Sequence, residues 1–138
     1  MEKLKNNQKT TRLGSAVLIT EGDRILLGRR NKEPNFGKWV LPGGKIEFGE
    51  THIQAAYREA KEELGLEIEI IRLAGNRLYY IIEPDEHRII VYSIARVVKG
   101  DISPSSDISE ARFFTRDELK NIEITPVVTQ VLRDEGWL

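Results

Sequence analysis

The stretch from Gly43 to Leu66, GGKIEFGETHIQAAYREAKEELGL, constrains this chain more than any other. It reads as a glycine segment, a turn, one amphipathic helix and a stop. Thr51 with Gln54 three residues later has the spacing of a capping box. Gly65 suits the left-handed position just past a helix C-terminus. Between them Ile53, Ala56, Tyr57, Ala60 and Leu64 form an apolar stripe, which predicts a helix packed along one edge. At about 100° per residue, Glu62 lies roughly 60° to one side of Glu59 and Glu63 roughly 40° to the other, so three carboxylates share a face beside that stripe.

Like charges at this spacing repel, each pair by a few tenths of a kcal/mol. Two readings follow: a solvated acidic face, or a site for a hard divalent cation, since Mg²⁺ is held by one or two carboxylates plus substrate phosphates. The neighbours favour the cation. Ala55 falls on the glutamate side, where a small residue leaves room for a polyanion. Arg58 lies near Glu62 and suits a bidentate charge-assisted contact to a carboxylate. Pro42, Gly43 and Gly44 predict a turn in which glycine permits close backbone approach and unusual φ values, with a backbone carbonyl available to a metal.

Gly44, five residues, Glu50, seven residues, then Arg58-Glu59-Ala60-Lys61-Glu62-Glu63-Leu64-Gly65-Leu66 fill every fixed position of G-x5-E-x7-R-E-U-x-E-E-x-G-U, with U apolar. In this the chain resembles the Nudix hydrolase superfamily. The resemblance implies an α/β/α sandwich with a mixed sheet from about Leu13 to the C-terminus. It implies hydrolysis of a nucleoside diphosphate linked to a group X, giving a nucleoside monophosphate and phosphorylated X. It makes Glu59, Glu62 and Glu63 metal ligands for Mg²⁺, with Mn²⁺ as a substitute, and the Gly43 carbonyl a further ligand. Glu59 is alternatively the general base. Glu50 orients the loop or binds a secondary metal, Arg58 holds the glutamate array, and Gly44 lets substrate approach the backbone.

Outside the box the resemblance implies a basic residue at the end of the second strand in contact with substrate phosphate, either Arg29 or Arg30. It also implies an additional acid beyond the box, with Glu83, Asp85, Glu86 and Glu110 as candidates and Glu110 in SEARFFT the most familiar. Each of these acids also reads as a plain surface residue.

The rest of the chain alternates strand and turn signals. Leu13 to Thr20 and Ile25 to Gly28 flank Glu21-Gly22-Asp23, a hairpin signal, and Arg29 and Arg30 close the second strand on opposite faces. Asn31 to Lys38 is a loop, and Trp39, between apolar neighbours, reads as core. Glu67 to Arg72 is a strand. Leu78 to Ile82 and Arg88 to Val98 form a second hairpin around Glu83-Pro84-Asp85-Glu86. Of Tyr79 and Tyr80, alternation puts one in the core and leaves the other to stack on a base. Ser103 to Ser109 is a polar loop and Glu110 to Phe114 a short strand. Thr115 with Glu118 caps a short helix. Thr125-Pro126 opens a last helix that Gly136 ends.

These elements predict one α/β domain over residues 10–138, after a polar tail over residues 1–9. At 138 residues, a chain buries about two thirds of its unfolded surface on folding. The net charge of −1 gives no broad attraction to a nucleic acid polymer or a membrane. No cysteine is present, which excludes disulfides and thiolate metal sites. His52 and His87 are too separated for a zinc constellation. Without an apolar leader or a spanning run, a cytoplasmic protein is expected. No Ser or Cys nucleophile stands with a paired His, so direct attack of water on phosphorus is preferred.

The run LPGG-x-x-E-F-G-E-T resembles small nucleoside triphosphate pyrophosphatases, which release pyrophosphate. The ADP-ribose branch carries a proline about sixteen residues past the box; here Ile82 stands there and Pro84 lies two further on. Dinucleoside polyphosphates are a further substrate class, and a nucleotide sensor that binds without cleaving is the non-enzyme alternative. Relatives are often homodimers, although no residue here identifies an interface.

Overall fold

The computed structural model describes residues 9–138. The tail expected over residues 1–9 lies, except for Lys9, outside the described residues. Consecutive apolar residues in SAVLIT suit a strand covered on both faces. They form the middle of β1 (Thr11–Glu21), where Val17, Leu18 and Ile19 are fully buried. Gly22, at φ 61°, turns the chain into β2 (Arg24–Arg30). The expected hairpin exists only at this tip, through Thr20↔Ile25 and Glu21↔Arg24. Beyond it β1 runs parallel to β7 (Glu86–Lys99), from Thr11↔His87 to Ile19↔Ala95. Meanwhile β2 pairs antiparallel with β3 (Trp39–Val40) and β8 (Ile108–Thr115). Two half-sheets therefore splay from one corner, and β4 (Gly43–Lys45) pairs with β1 on the side facing the gap.

On the far side, β5 (Glu67–Leu73) and β6 (Tyr79–Glu83) pair antiparallel with β7. The second hairpin holds along its length, from Tyr79↔Ile90 to Glu83↔Glu86. One parallel pair among antiparallel ones makes the sheet mixed.

Alternation along β1 divides the core. Val17 and Ile19 meet Ala56, Ala60 and Leu64 of helix α1 (His52–Leu64) on one face. Leu18 meets Tyr92, Trp39 and Phe114 on the other. There the short helix α2 (Arg116–Leu119) contributes Leu119, and α3 (Pro126–Asp134) contributes Val127, Val128, Val131 and Leu132. Trp39 is core as expected, edge-on to Phe114 at 4.8 Å. Complete burial of a side chain such as Leu64 stabilises by about 1.5–3 kcal/mol. Helices on both faces of a mixed sheet give the α/β/α arrangement. Among the described residues no helix is long and apolar enough to cross a membrane.

Candidate active site

Helix α1 is fixed at both ends. Thr51 Oγ1 accepts from Gln54 N–H at 3.1 Å and Gln54 Oε1 accepts from Thr51 N–H at 2.9 Å, which completes the capping box. Ser15 Oγ donates to the His52 carbonyl at 2.6 Å and ties the first turn to β1. Gly65 takes the left-handed cap at φ 71°. The polar loop after β7 satisfies the last carbonyls, which a helix cannot pair internally. Ser105 N–H reaches Glu63 O at 2.9 Å, Ser103 N–H reaches Leu64 O at 2.8 Å, and Ser105 Oγ reaches Glu62 O at 2.5 Å.

The buried arc of α1 differs from the expected stripe. Ala55, Ala56, Ala60, Glu63 and Leu64 are covered, whereas Ile53 and Tyr57 are each 41% exposed. The helix packs on β4 as well as β1, which turns the covered arc toward the glutamates. Ala55 is consequently a core contact, and it does not clear space for a polyanion.

Gly43 and Gly44 also differ from the expected turn: they lie in β4 and neither takes a left-handed φ. Close packing requires glycine at both. A Cβ on Gly43 would stand 2.5 Å from Ala16 Cα, and one on Gly44 2.5 Å from Glu59 Oε1. The bonds Val17 N–H to Pro42 O and Ile46 N–H to Leu13 O fix the alternation of the ladder. Gly43, between them, turns both its N–H and its C=O away from β1. The N–H donates to Glu63 Oε1 at 2.8 Å, and the carbonyl faces the same side.

Arg58 gathers the carboxylates. Its Nε and Nη2 grip Glu50 in bidentate fashion at 2.7 and 3.0 Å. Nη1 reaches Glu59 at 2.7 Å and Glu62 at 3.2 Å, and Nη2 also donates to the Lys45 carbonyl at 3.0 Å. The bidentate partner is thus Glu50 rather than Glu62. Glu50 also accepts from Glu47 N–H at 3.0 Å, and these contacts, Arg58 first, hold its pKa at about 2. Glu59 is shifted upward, chiefly by burial. Glu63, 5% exposed, is pushed up to about 8 by burial and then by the Glu59 charge.

Buried carboxylates beside an open carbonyl are hard oxygen donors of the kind a divalent cation takes. A buried charge is stable only with a partner, and a cation is the partner Glu63 lacks. Among the described residues no three acidic or imidazole groups converge as a ready cage, because Glu59 and Glu62 lean on Arg58 and Glu63 on Gly43.

A cleft of about 1320 Å³ opens where the half-sheets part. Glu59, Glu62, Glu63 and Gly44 line it, as do Arg30, Lys32 and Lys38. Arg30 is braced by Nε donating to the Pro34 carbonyl at 2.7 Å. Its loop is pinned by Arg30 N–H to Lys38 O at 2.8 Å and Asn31 N–H to Asp107 O at 2.7 Å. Of the two arginines, the strand therefore turns Arg30 to the cleft. Arg29 lies on the opposite face, in register with Glu110, and neither lines the cleft. Tyr79 is fully buried, while Tyr80, 46% exposed, borders the cleft from the other strand face. Glu83 and Glu86 line the end remote from α1, where Glu86 holds Arg88 at 2.9 Å. Asp85 is exposed, 3.6 Å from Lys9.

Sequence reasoning missed Asp107, Lys32, Lys38 and Tyr92, all of which line the cleft. Asp107 stands near enough to Glu63 to add to its upward shift. Its only sequence signal was membership of a polar loop, and no local spacing links that loop to α1.

Comparison with known proteins identifies the family. The model of the NUDIX domain family matches residues 10–134. An ADP-ribose pyrophosphatase of Methanocaldococcus jannaschii is 35% identical over 105 residues, 76% of this chain and 62% of that protein. An oxidized purine nucleoside triphosphate hydrolase of Mus musculus is 29% identical over 118 residues, 85% of this chain and 74% of that protein. Among solved structures, a MutT NUDIX hydrolase from Burkholderia pseudomallei superposes with a TM-score of 0.84 at 28% identity, covering 91% of this chain and 98% of that one.

Proposed function

The chain belongs to the NUDIX hydrolase family, and from that premise we propose that it hydrolyses a nucleoside triphosphate to a nucleoside monophosphate and pyrophosphate with Mg²⁺. The observation that carries this reading is the placement of buried Glu63, on the Gly43 N–H and beside Glu59, in a cleft that also presents Arg30, Lys32 and Lys38. Acid and base groups in one cleft suit a polyanion bridged to a cation.

Glu59, Glu62, Glu63 and the Gly43 carbonyl would hold Mg²⁺, with Mn²⁺ as a substitute. When bound, the ion neutralises phosphate oxygens and makes water more acidic. The protein does the rest. Arg30, braced by Pro34, binds phosphate oxygens at a fixed place, and Lys32 and Lys38 bind them as mobile point charges. Arg58 holds Glu59 and Glu62 at set angles and anchors them to the loop through Glu50. Glu59, whose burial raises its proton affinity, is the alternative base: where it takes the proton of the attacking water, Glu62, Glu63 and the Gly43 carbonyl alone hold the ion. Gly44 lets Glu59 approach the backbone. Arg29 and Glu110 lie off the cleft and take no part, whereas Tyr80 lines it and offers its ring to a bound nucleotide.

The cleft volume favours a second reading. Ligand clefts commonly span about 300–1,000 Å³, and about 1320 Å³ also accommodates a nucleoside diphosphate sugar, the class named for the archaeal relative. A panel of triphosphates, ADP-ribose and diadenosine polyphosphates with Mg²⁺ decides between them. Pyrophosphate from triphosphates supports the first reading, and AMP with ribose 5-phosphate the second.

A further inference from the structure

Tyr92 is 2% exposed, yet its hydroxyl makes no hydrogen bond within the described residues. No fully enclosed side-chain polar atom among them is left unpaired, so this hydroxyl touches the open cleft, which Tyr92 lines. Buried tyrosine hydroxyls ordinarily have a partner, and here the free side is the cleft. Its place relative to the glutamates follows from register. Gly43 pairs with Ala16, and Ala16 with Tyr92. Two strand spacings, about 10 Å, thus separate Tyr92 from the Gly43 backbone, comparable with the reach of a nucleoside from its 5′ oxygen to its base.

Arg88 belongs to the same surface. It stands on the same face of β7 as Tyr92, with Ile90 between them, and both arginine and tyrosine line the cleft. Glu86 engages Nη2, which leaves other guanidinium N–H groups for a ligand. Ile90, Val127 and Leu41 supply apolar walls. Burial raises the Tyr92 pKa, against a smaller opposing effect of Arg88, so the hydroxyl stays protonated at neutral pH.

We propose that Tyr92 and Arg88 read the base of the substrate, and that they select a base with a carbonyl on its exposed edge, guanine or uracil, over adenine or cytosine. This rests on the nucleotide reading above. Guanidinium donates only, and guanine offers it two adjacent acceptors where adenine sets an amino group beside its ring nitrogen. Tyr92 is a specificity-determining residue and touches no reacting atom.

The test is binding of nucleoside monophosphates by titration calorimetry to the wild type, Tyr92→Phe and Arg88→Met, with melting temperatures measured alongside. Phe keeps the ring that packs edge-on to Tyr79 at 5.4 Å, so the fold is preserved. The wild type should bind GMP over AMP, and UMP over CMP, about tenfold or more tightly, as one good base contact allows. In each variant that ratio should fall toward one. Equal affinity for GMP and AMP in the wild type, binding of neither, or a ratio unchanged in a folded Tyr92→Phe protein overturns the proposal. Hydrolysis is scored separately. GMP selectivity without triphosphate turnover keeps this inference and removes the proposed reaction. Turnover without base selectivity does the reverse.

Discussion

At the scale of single residues, the site depends on one guanidinium and one buried carboxyl. Arg58 hydrogen-bonds three carboxylates and a carbonyl, with a fourth carboxylate, Glu47, 3.9 Å away, and its side chain is 22% exposed. Arg58→Lys retains charge and loses the planar fork. It should lower stability by roughly 2 kcal/mol, less than the 3–5 kcal/mol of a fully buried pair because water reaches part of it. Denaturant melts measure this, and turnover should fall more steeply than stability because Glu59 loses its fixed angle. Glu63→Gln tests the other group. Glutamine matches the protonated carboxyl in shape and still accepts the Gly43 N–H, so the melting temperature should hold or rise while hydrolysis falls by a factor of about 10² or more. This grouping was visible in the sequence because it rests on fixed helical offsets: Glu59, Glu62, Glu63 and Arg58 need only the period of a helix to find one another. Asp107, Lys32 and Tyr92 were not visible, because tertiary pairing brings them to the cleft.

At the scale of elements, the deviations from expectation have a common source in how α1 meets β4. The sequence marks the start and stop of α1 through Thr51, Gln54 and Gly65, and those caps are present as read. It does not mark which arc is covered, since Ile53 and Tyr57 are as apolar as the alanines that are buried. Nor does it mark that Gly43-Gly44 is a strand, because two glycines read as a turn until a neighbouring chain passes close. Gly44→Ala checks this packing. A Cβ there meets the Glu59 carboxylate at 2.5–2.8 Å, so Glu59 must move. Activity should fall about tenfold or more while far-ultraviolet circular dichroism stays native. The Thr51→Ala cap variant should instead cost about 1 kcal/mol of stability, read from the same melts.

At the scale of the molecule, contacts between residues distant in sequence hold the splayed half-sheets and their helices together. β1 and β7 pair in parallel across the chain, and Arg72 and Gly75 both bond Glu135 just past α3. These long-range pairings were the least legible part of the fold, since alternation locates strands without naming their partners. Glu135 gives a pH test of the closure. Its pKa lies below the ordinary 4.5, first through the Arg72 hydrogen bonds, so its contribution is present above that value and is lost as pH falls through the depressed one. Glu135→Gln should therefore melt earlier than the wild type at neutral pH, by about 1–2 kcal/mol of stability, and the gap should close on acidification below pH 4.5. The proposed reaction is read out by pyrophosphate release from nucleoside triphosphates with Mg²⁺, wild type beside Glu63→Gln. Release by the wild type, abolished by chelation and by the substitution in a protein that melts normally, is the predicted result. Release that survives in Glu63→Gln, or a wild type that binds nucleotide and releases nothing, would contradict the account.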